Sequence, residues 1–331
     1  MIVSFAIVAF NEEAYLPKLL SDLKEQDYPH EKIEVLLIDS MSTDNTEKIM
    51  NDFASNNDFM SVRVFKNPKK LIPCGHNVAL DNYTGDALIR LDAHASMPND
   101  FISRNVAVLE SGEVACGGRR PNIIDELTPF KETLLSAEQS MFGSGFASYR
   151  NSNKKMYASS LFCGMYKREV YDKVGRYNDL LPRSEDNDMT YRMRKAGFKL
   201  CYSPEIVFYQ HTRSSLPKML KQKFLNGYWI GKTMGISPKC FSLFHFVPLA
   251  FVLAIVFTTI FALSGLPFLS YLMWSAYLLL IVAMTVTEFI KKPVITNILL
   301  PIIFFTLHFS YGIGTLLGLI VMPFWVLKVK R

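Results

Sequence analysis

The chain predicts an α/β domain with a mostly parallel central sheet and helices on both faces, followed by a C-terminal region of transmembrane helices. Three observations carry that expectation. Up to about residue 210, short apolar runs alternate with amphipathic ones, the pattern of strands and helices in turn. From Phe241 onward charges nearly vanish, leaving Glu288, Lys291, Lys292, Lys328, Lys330 and Arg331. Half of the 331 residues are hydrophobic, enough for one sizeable domain and something more.

Residues 2–9 read as the first strand. Residues 14–26 read as a helix with its apolar stripe at Leu16, Leu19, Leu20 and Leu23. A strand at residues 33–38 ends at Asp39, and Ser42 or Thr43 can cap the next helix, which runs through Phe53. A strand at residues 62–65, a helix over residues 74–82 and a strand at residues 87–91 follow. Further along, Asp186 begins a helix that stops at Gly197, and residues 206–209 are strand-like. Residues 1–212 are therefore expected to form one domain.

Residues 213–240 hold six basic side chains, Arg213, Lys218, Lys221, Lys223, Lys232 and Lys239, and no acid. Apolar residues recur among them near helical spacing. That suits a helix on an anionic membrane face, with Tyr228 and Trp229 at headgroup depth. Within residues 241–327, the runs 241–263 and 266–290 are each long enough to span a bilayer. The run 294–327 exceeds one span and contains Pro301, Gly312, Gly314, Gly318 and Pro323, so it is either one tilted helix or a re-entrant pair of short ones. Excess positive charge places the basic segment and the Lys291-Lys292 loop on the cytoplasmic side, and the basic tail with them if the last run is re-entrant. Met1 leads straight into the first strand without the basic start and cleavage site of a signal peptide, so the first domain is expected in the cytoplasm.

Three polar clusters fall at strand ends, where open α/β sheets bind ligands: Asn11-Glu12-Glu13, the stretch 39–44, and Asp92-Ala93-His94. Each alone is ordinary turn chemistry. Together with the later acidic stretch Glu185-Asp186-Asn187-Asp188 they suggest a site. Asp92 and His94 stand two apart, so on a continuing strand both emerge on one side. An oxygen and an imidazole suit Mn²⁺ or Mg²⁺ with positions left for a phosphate-bearing substrate. Asp186 at a helix start is held ionised by the helix dipole and can act as a general base. No Walker A loop or GxGxxG is present, which excludes a P-loop NTPase and a simple dinucleotide binder. Five cysteines without a CxxC pair exclude a disulfide frame and a zinc ribbon.

The order Val8-Ala9-Phe10-Asn11-Glu12, Asp39-Ser40-Met41-Ser42-Thr43-Asp44, Gly85-Asp86, Asp92-Ala93-His94 and Ser184-Glu185-Asp186 resembles family 2 glycosyltransferases. More narrowly it resembles the succinoglycan glucosyltransferase-like branch of bacterial exopolysaccharide enzymes. The likeness covers residues 1 to about 230, and His308-Phe309-Ser310-Tyr311-Gly312 in the tail matches the branch too. The resemblance implies a GT-A-type nucleotide-diphospho-sugar transferase domain, a divalent metal and transfer with inversion. Phe10, Asn11 and Glu12 then match the loop lining the nucleoside, Asp39 the carboxylate that receives the base, and Asn77 a residue bordering that pocket. Asp92 and His94 match the metal-bridging motif, Asp186 the base, and Glu185 its neighbour in the nucleotide-sugar site. Arg119, Arg120 or Arg183 would clamp a phosphate, and His211 would lie near the diphosphate.

Two departures stand out: Ser40 and His94 replace acids the family commonly has. The Gln-x-x-Arg-Trp motif of processive synthases is absent, so addition of a single sugar is expected. The expected protein is a multi-pass enzyme of the cytoplasmic membrane. It would take a nucleotide-diphospho-sugar, UDP-hexose above others, and a polyprenyl-linked saccharide acceptor for exopolysaccharide or capsule. Nucleic acid is not an expected partner. The alternatives are a polyprenyl-phosphate glycosyl synthase and a non-catalytic scaffold that binds nucleotide-sugar.

Overall fold

The computed structural model describes residues 1–124, 126–143, 152–211 and 215–329. The chain opens with alternating elements: β1 (Val3–Ala9), α1 (Leu16–Lys24), β2 (Ile33–Asp39), α2 (Thr46–Ser55), β3 (Ser61–Lys66), α3 (Ile72–Asn82) and β4 (Ala87–Asp92). There follow β5 (Ala95–Ser96), α4 (Phe101–Glu110), β6 (Ala115–Arg119), β7 (Asn122–Ile123), α5 (Pro129–Gln139), β8 (Met156–Ala158) and β9 (Met165–Lys167). Next come α6 (Arg168–Val174), α7 (Glu185–Lys195), β10 (Leu200–Val207) and β11 (Tyr209–His211). The C-terminal helices are α8 (Leu216–Thr233), α9 (Val247–Leu263), α10 (Phe268–Lys291) and α11 (Leu300–Val329). Two compact units result: Met1–Pro121 with Ser148–His211, and Asn122–Ala147 with Thr212–Arg331.

In the first unit an eight-stranded sheet runs β3-β2-β1-β4-β9-β6-β10-β8. Only β9 and β8 run against the others, so the sheet is mostly parallel, as expected. Side-chain alternation explains why helices cover both faces. Phe5 and Ile7 of β1 pack with Leu16, Leu19 and Leu23 of α1, Met50 of α2 and Phe101 of α4. Ala6, between them, faces the other way and joins Ala79 of α3, Val170 of α6 and Met189 and Met193 of α7. The β2-β1-β4 register pairs Ala9 with Asp39 and Val8 with Asp92, which brings three of the polar clusters into one row at the sheet's carboxyl edge.

In the second unit three helices are long and apolar enough to cross a membrane: Leu243–Leu263, Phe268–Lys291 and Ile295–Val329. The last long run is not a re-entrant pair. From Leu300 to Val329 it is one helix that continues through Pro323. Its glycines serve contact and do not break the helix. A Cβ on Gly314 would lie 2.2 Å from the Phe224 carbonyl oxygen, and one on Gly318 2.1 Å from that of Tyr228. Small residues at these points let the backbones of α8 and α11 touch.

The basic helix expected on a membrane surface packs lengthwise against α11, with Trp229 against Trp325 at 6.0 Å between ring centroids. Lys232 sits over both indoles, 4.1 and 4.4 Å from their centroids. Arg213, Lys330 and Arg331 of the expected basic segments lie outside the described residues. Gly318→Ala should cost about 1–3 kcal/mol, because the crowding atom is backbone and has little room to give. Thermal melting in detergent would show it, and an unchanged midpoint would refute the close approach.

Candidate active site

The loops after β1 and β2 are laced to each other by side chains. Asn11 and Met41 both adopt left-handed backbone, at φ 54° and 62°. The Thr43 amide donates to Asn11 Oδ1 at 2.8 Å, and the Asn11 amide donates to Ser42 Oγ at 3.0 Å. Thr46 Oγ1 accepts from the Glu12 amide at 2.8 Å, and Glu13 Oε2 accepts from the Asn45 amide at 3.0 Å. Phe10, about half exposed at 48%, stands on the rim of this pair of turns.

Asp39 lies beneath them, fully buried at the end of β2. Its Oδ1 accepts from the Ser42 amide and its Oδ2 from Lys66 Nζ, each at 3.1 Å. Lys66, at the end of β3, also pairs with Glu47. A carboxylate acceptor beside an ammonium donor is the polarity that a base edge carrying N–H next to C=O requires. Sequence reasoning passed over Lys66. The parallel register that pairs it with Asp39 is the signal that finds it. Ser40, standing where the family commonly has an acid, is buried and accepts from Asn67 Nδ2 at 3.0 Å, a tie between the ends of β2 and β3.

Asn77 is less a pocket wall than a strut. Its Nδ2 donates to the Tyr177 carbonyl at 2.9 Å and to Asp179 at 2.7 Å, and its Oδ1 accepts from the Tyr177 amide at 2.8 Å. Arg119 is likewise engaged, donating to the Pro204 carbonyl at 2.9 Å. Arg120 stacks on Phe162 at 4.0 Å, and Arg183 is exposed.

The strand β4 ends at Asp92, and Ala93 and His94 form a turn before β5. Strand alternation therefore does not align Asp92 with His94, contrary to the expectation. His94 is oriented by Glu12 instead, with Nδ1 and Oε1 3.3 Å apart. Its carbonyl accepts from the His211 amide at 3.2 Å, which places His211 beside it. A carboxylate partner on Nδ1 favours the tautomer whose Nε2 carries the lone pair a metal needs. Among the described residues no cluster of three or more His, Cys, Asp and Glu forms a metal centre made by protein alone. The donors Asp92 and His94 fit a hard divalent cation that completes its shell with phosphate oxygens and water.

Glu185 and Asp186 open α7, whose first turn also carries Asp188. Asp186 accepts a hydrogen bond from Arg90, which also reaches His76 at 2.5 Å. Burial pushes the Asp186 carboxyl above its ordinary range, while the Arg90 charge pulls it back. Burial, with the Asp186 charge next to it, pushes Glu185 up to about 8. Glu185 Oε2 is buried with no hydrogen-bond partner among the described residues, in keeping with a carboxyl held neutral.

A raised carboxyl stabilises the fold below its ordinary value of 4.5 and loses that contribution as pH rises towards 8. The melting point of Glu185→Gln should therefore match wild type near pH 4.5 and increasingly exceed it up to pH 8. A constant difference across that window would refute the buried neutral acid.

Residues 4–175 match the model for glycosyl transferase family 2, and the chain belongs to that family. Over 324 residues it is 28% identical to a dolichyl N-acetyl-alpha-D-glucosaminyl phosphate 3-beta-D-2,3-diacetamido-2,3-dideoxy-beta-D-glucuronosyltransferase of Methanococcus voltae, covering 96% of this chain and 97% of that one. Succinoglycan biosynthesis protein ExoA of Rhizobium meliloti (strain 1021) is 25% identical over 231 residues, 68% of this chain and 67% of the relative. A mannosyltransferase of Pyrobaculum calidifontis, solved with GDP-Man and Mn²⁺, shares the fold at a TM-score of 0.63 and 17% identity, covering 94% of this chain and 86% of its own. The first unit is thus a GT-A-like domain.

Proposed function

We propose that the chain transfers one sugar from a nucleotide-diphospho-sugar, a UDP-hexose, to a polyprenyl-linked saccharide at the cytoplasmic face of the membrane, with inversion. The observation that carries this is that Asp39 and Asp92 end neighbouring strands at the carboxyl edge of one sheet, with Asp186 of α7 bonded to Arg90 of β4, within a family 2 chain. Support for the acceptor comes from the relative aligned over nearly the whole chain, whose name specifies a dolichyl-linked sugar phosphate. The second unit's apolar helices would keep the enzyme where such a lipid resides. The tie between Ser40 and Asn67 weakens the scaffold alternative, since this departure from the family pattern serves folding.

In the proposed reaction Phe10, Asn11 and Glu12 line the nucleoside, and Asp39 with Lys66 reads the base edge. Asp92 and His94 would hold a divalent cation, which when bound neutralises charge developing on the departing diphosphate. Asp186 takes the proton of the acceptor hydroxyl as that oxygen bonds to the anomeric carbon. The bond to the diphosphate breaks on the opposite face, and the nucleoside diphosphate leaves with its electron pair. One displacement inverts the carbon.

The test is nucleoside diphosphate release from UDP-glucose, UDP-N-acetylglucosamine, UDP-galactose and GDP-mannose by detergent-solubilised protein, with bacterial lipid extract as acceptor. Release accompanied by a labelled lipid supports the transferase. Release that is insensitive to Asp186→Asn points to a bare lipid phosphate as acceptor, because a phosphate oxygen needs no deprotonation. Binding without any release favours the scaffold.

A further inference from the structure

We propose that Arg90, braced by His76 and Tyr177, is a positioning residue that aims the Asp186 carboxylate at the acceptor hydroxyl. The proposal rests on the base assignment above. Arg90 interrupts the apolar run 87–91 of β4 and is 7% exposed. Two residues before Asp92 on the same strand, it projects to the same side. A charge in such a place is expensive, and a buried ion pair is rarely a net source of stability.

The guanidinium is held on three sides. One terminal nitrogen donates to Asp186 Oδ1. The other lies 2.5 Å from His76 Nε2. The plane sits 5.1 Å from the centroid of the Tyr177 ring. Arginine only donates, so His76 must accept, which requires a neutral imidazole protonated on Nδ1. Burial, reinforced by the Arg90 charge, holds His76 well below its ordinary value, in agreement. Asn77, the next residue of α3, ties down the Tyr177 backbone through two hydrogen bonds. Adjacent positions on one helix thus fix both the partner and the shelf of a single arginine.

With Oδ1 committed to Arg90, Oδ2 is the oxygen that receives the proton. The other groups facing Asp186 are Glu185 on its own helix, Asp92 from β4, Arg120 after β6, Cys163 before β9, Tyr166 on β9, and Tyr177 itself. Among the contacts described, the side-chain bond to the carboxylate comes from Arg90.

The experiment is a double-mutant cycle in full-length protein, using whichever of the four sugar nucleotides named above is turned over. Arg90→Gln should lower kcat by about 100-fold, the cost of misplacing a catalytic group, with donor KM nearly unchanged. In an Asp186→Asn background the same change should cost nothing further, since groups acting as one unit are not additive. The acid limb of kcat/KM should move to higher pH in Arg90→Gln, because the lost cation favoured the ionised base. Arg90→Lys should return that limb towards wild type and recover part of kcat.

His76→Gln, which keeps an acceptor, should stay near wild type, whereas His76→Leu should lower kcat. This pair reads the brace even if Arg90→Gln does not fold. An equal loss from Arg90→Gln in both backgrounds, or an unmoved acid limb, would mean a structural role and overturn the proposal. Full activity in Asp186→Asn, or no turnover of any donor by wild type, removes the base assignment itself and with it the task given to Arg90.

Discussion

Asp186→Asn is expected to lower kcat for sugar transfer by about 10²–10⁴-fold, the range supplied by a positioned general base, while nucleotide binding stays intact. Asparagine keeps the size of the side chain but cannot take a proton. The nucleotide contacts proposed at β1 and β2 lie on other elements, so KM for the donor should change little. The pH profile adds a sign. A general base works ionised and burial raises the Asp186 carboxyl, so activity should fall on acidification from a pH above the usual aspartate range. Steady-state release assays across pH on both proteins would check this. A mutant retaining wild-type kcat would eliminate Asp186 as the base, and an acid limb at ordinary aspartate pH would eliminate the burial argument.

Asp92→Asn should slow the reaction by about 10³-fold, from several kcal/mol of lost charge stabilisation at the leaving diphosphate. It should also raise the Mn²⁺ concentration needed for half-maximal rate. The carboxylate is one of only two protein donors proposed there, so its loss leaves the imidazole as the one protein ligand proposed. His94→Ala should be milder, and Glu12→Gln milder still, about 10–100-fold, as for groups that orient a ligand. Titration of rate against Mn²⁺ in chelator-treated protein measures all three. Metal response identical to wild type in Asp92→Asn would rule out the assignment.

The alternating first strands and helices were legible because their leucine stripes and apolar runs bury on defined faces. The positions of Asp39 at a strand's end and of Asp186 in a helix's first turn were legible, because an apolar run stops at the one and an acidic stretch opens the other. Three things were not. His94 follows the end of β4, and a turn one residue after a strand leaves no trace in alternation. Gly314 and Gly318 read as breaks because glycine weakens an isolated helix, yet here α8 lies against them and the same residues permit contact. Arg90 was hidden by its neighbours. Ile89 and Leu91 made the strand look uniformly buried, and only the fold reveals that α7 returns a carboxylate to that position. Long-range partners of this kind have no signature in local spacing.

The mutual lacing of the turns after β1 and β2 bears on how tightly a nucleotide can be held. Asn11 bonds to Ser42 and Thr43, and Glu13 to Asn45 and, through its amide, Asp44, so each turn is the other's scaffold. Freezing a loop residue costs about 1–2 kcal/mol, and here that ordering is complete before any ligand arrives. The nucleoside proposed to bind there would meet a preorganised wall, so more of its contact energy would survive as affinity. The same coupling makes the slot brittle: loosening either turn disorders both.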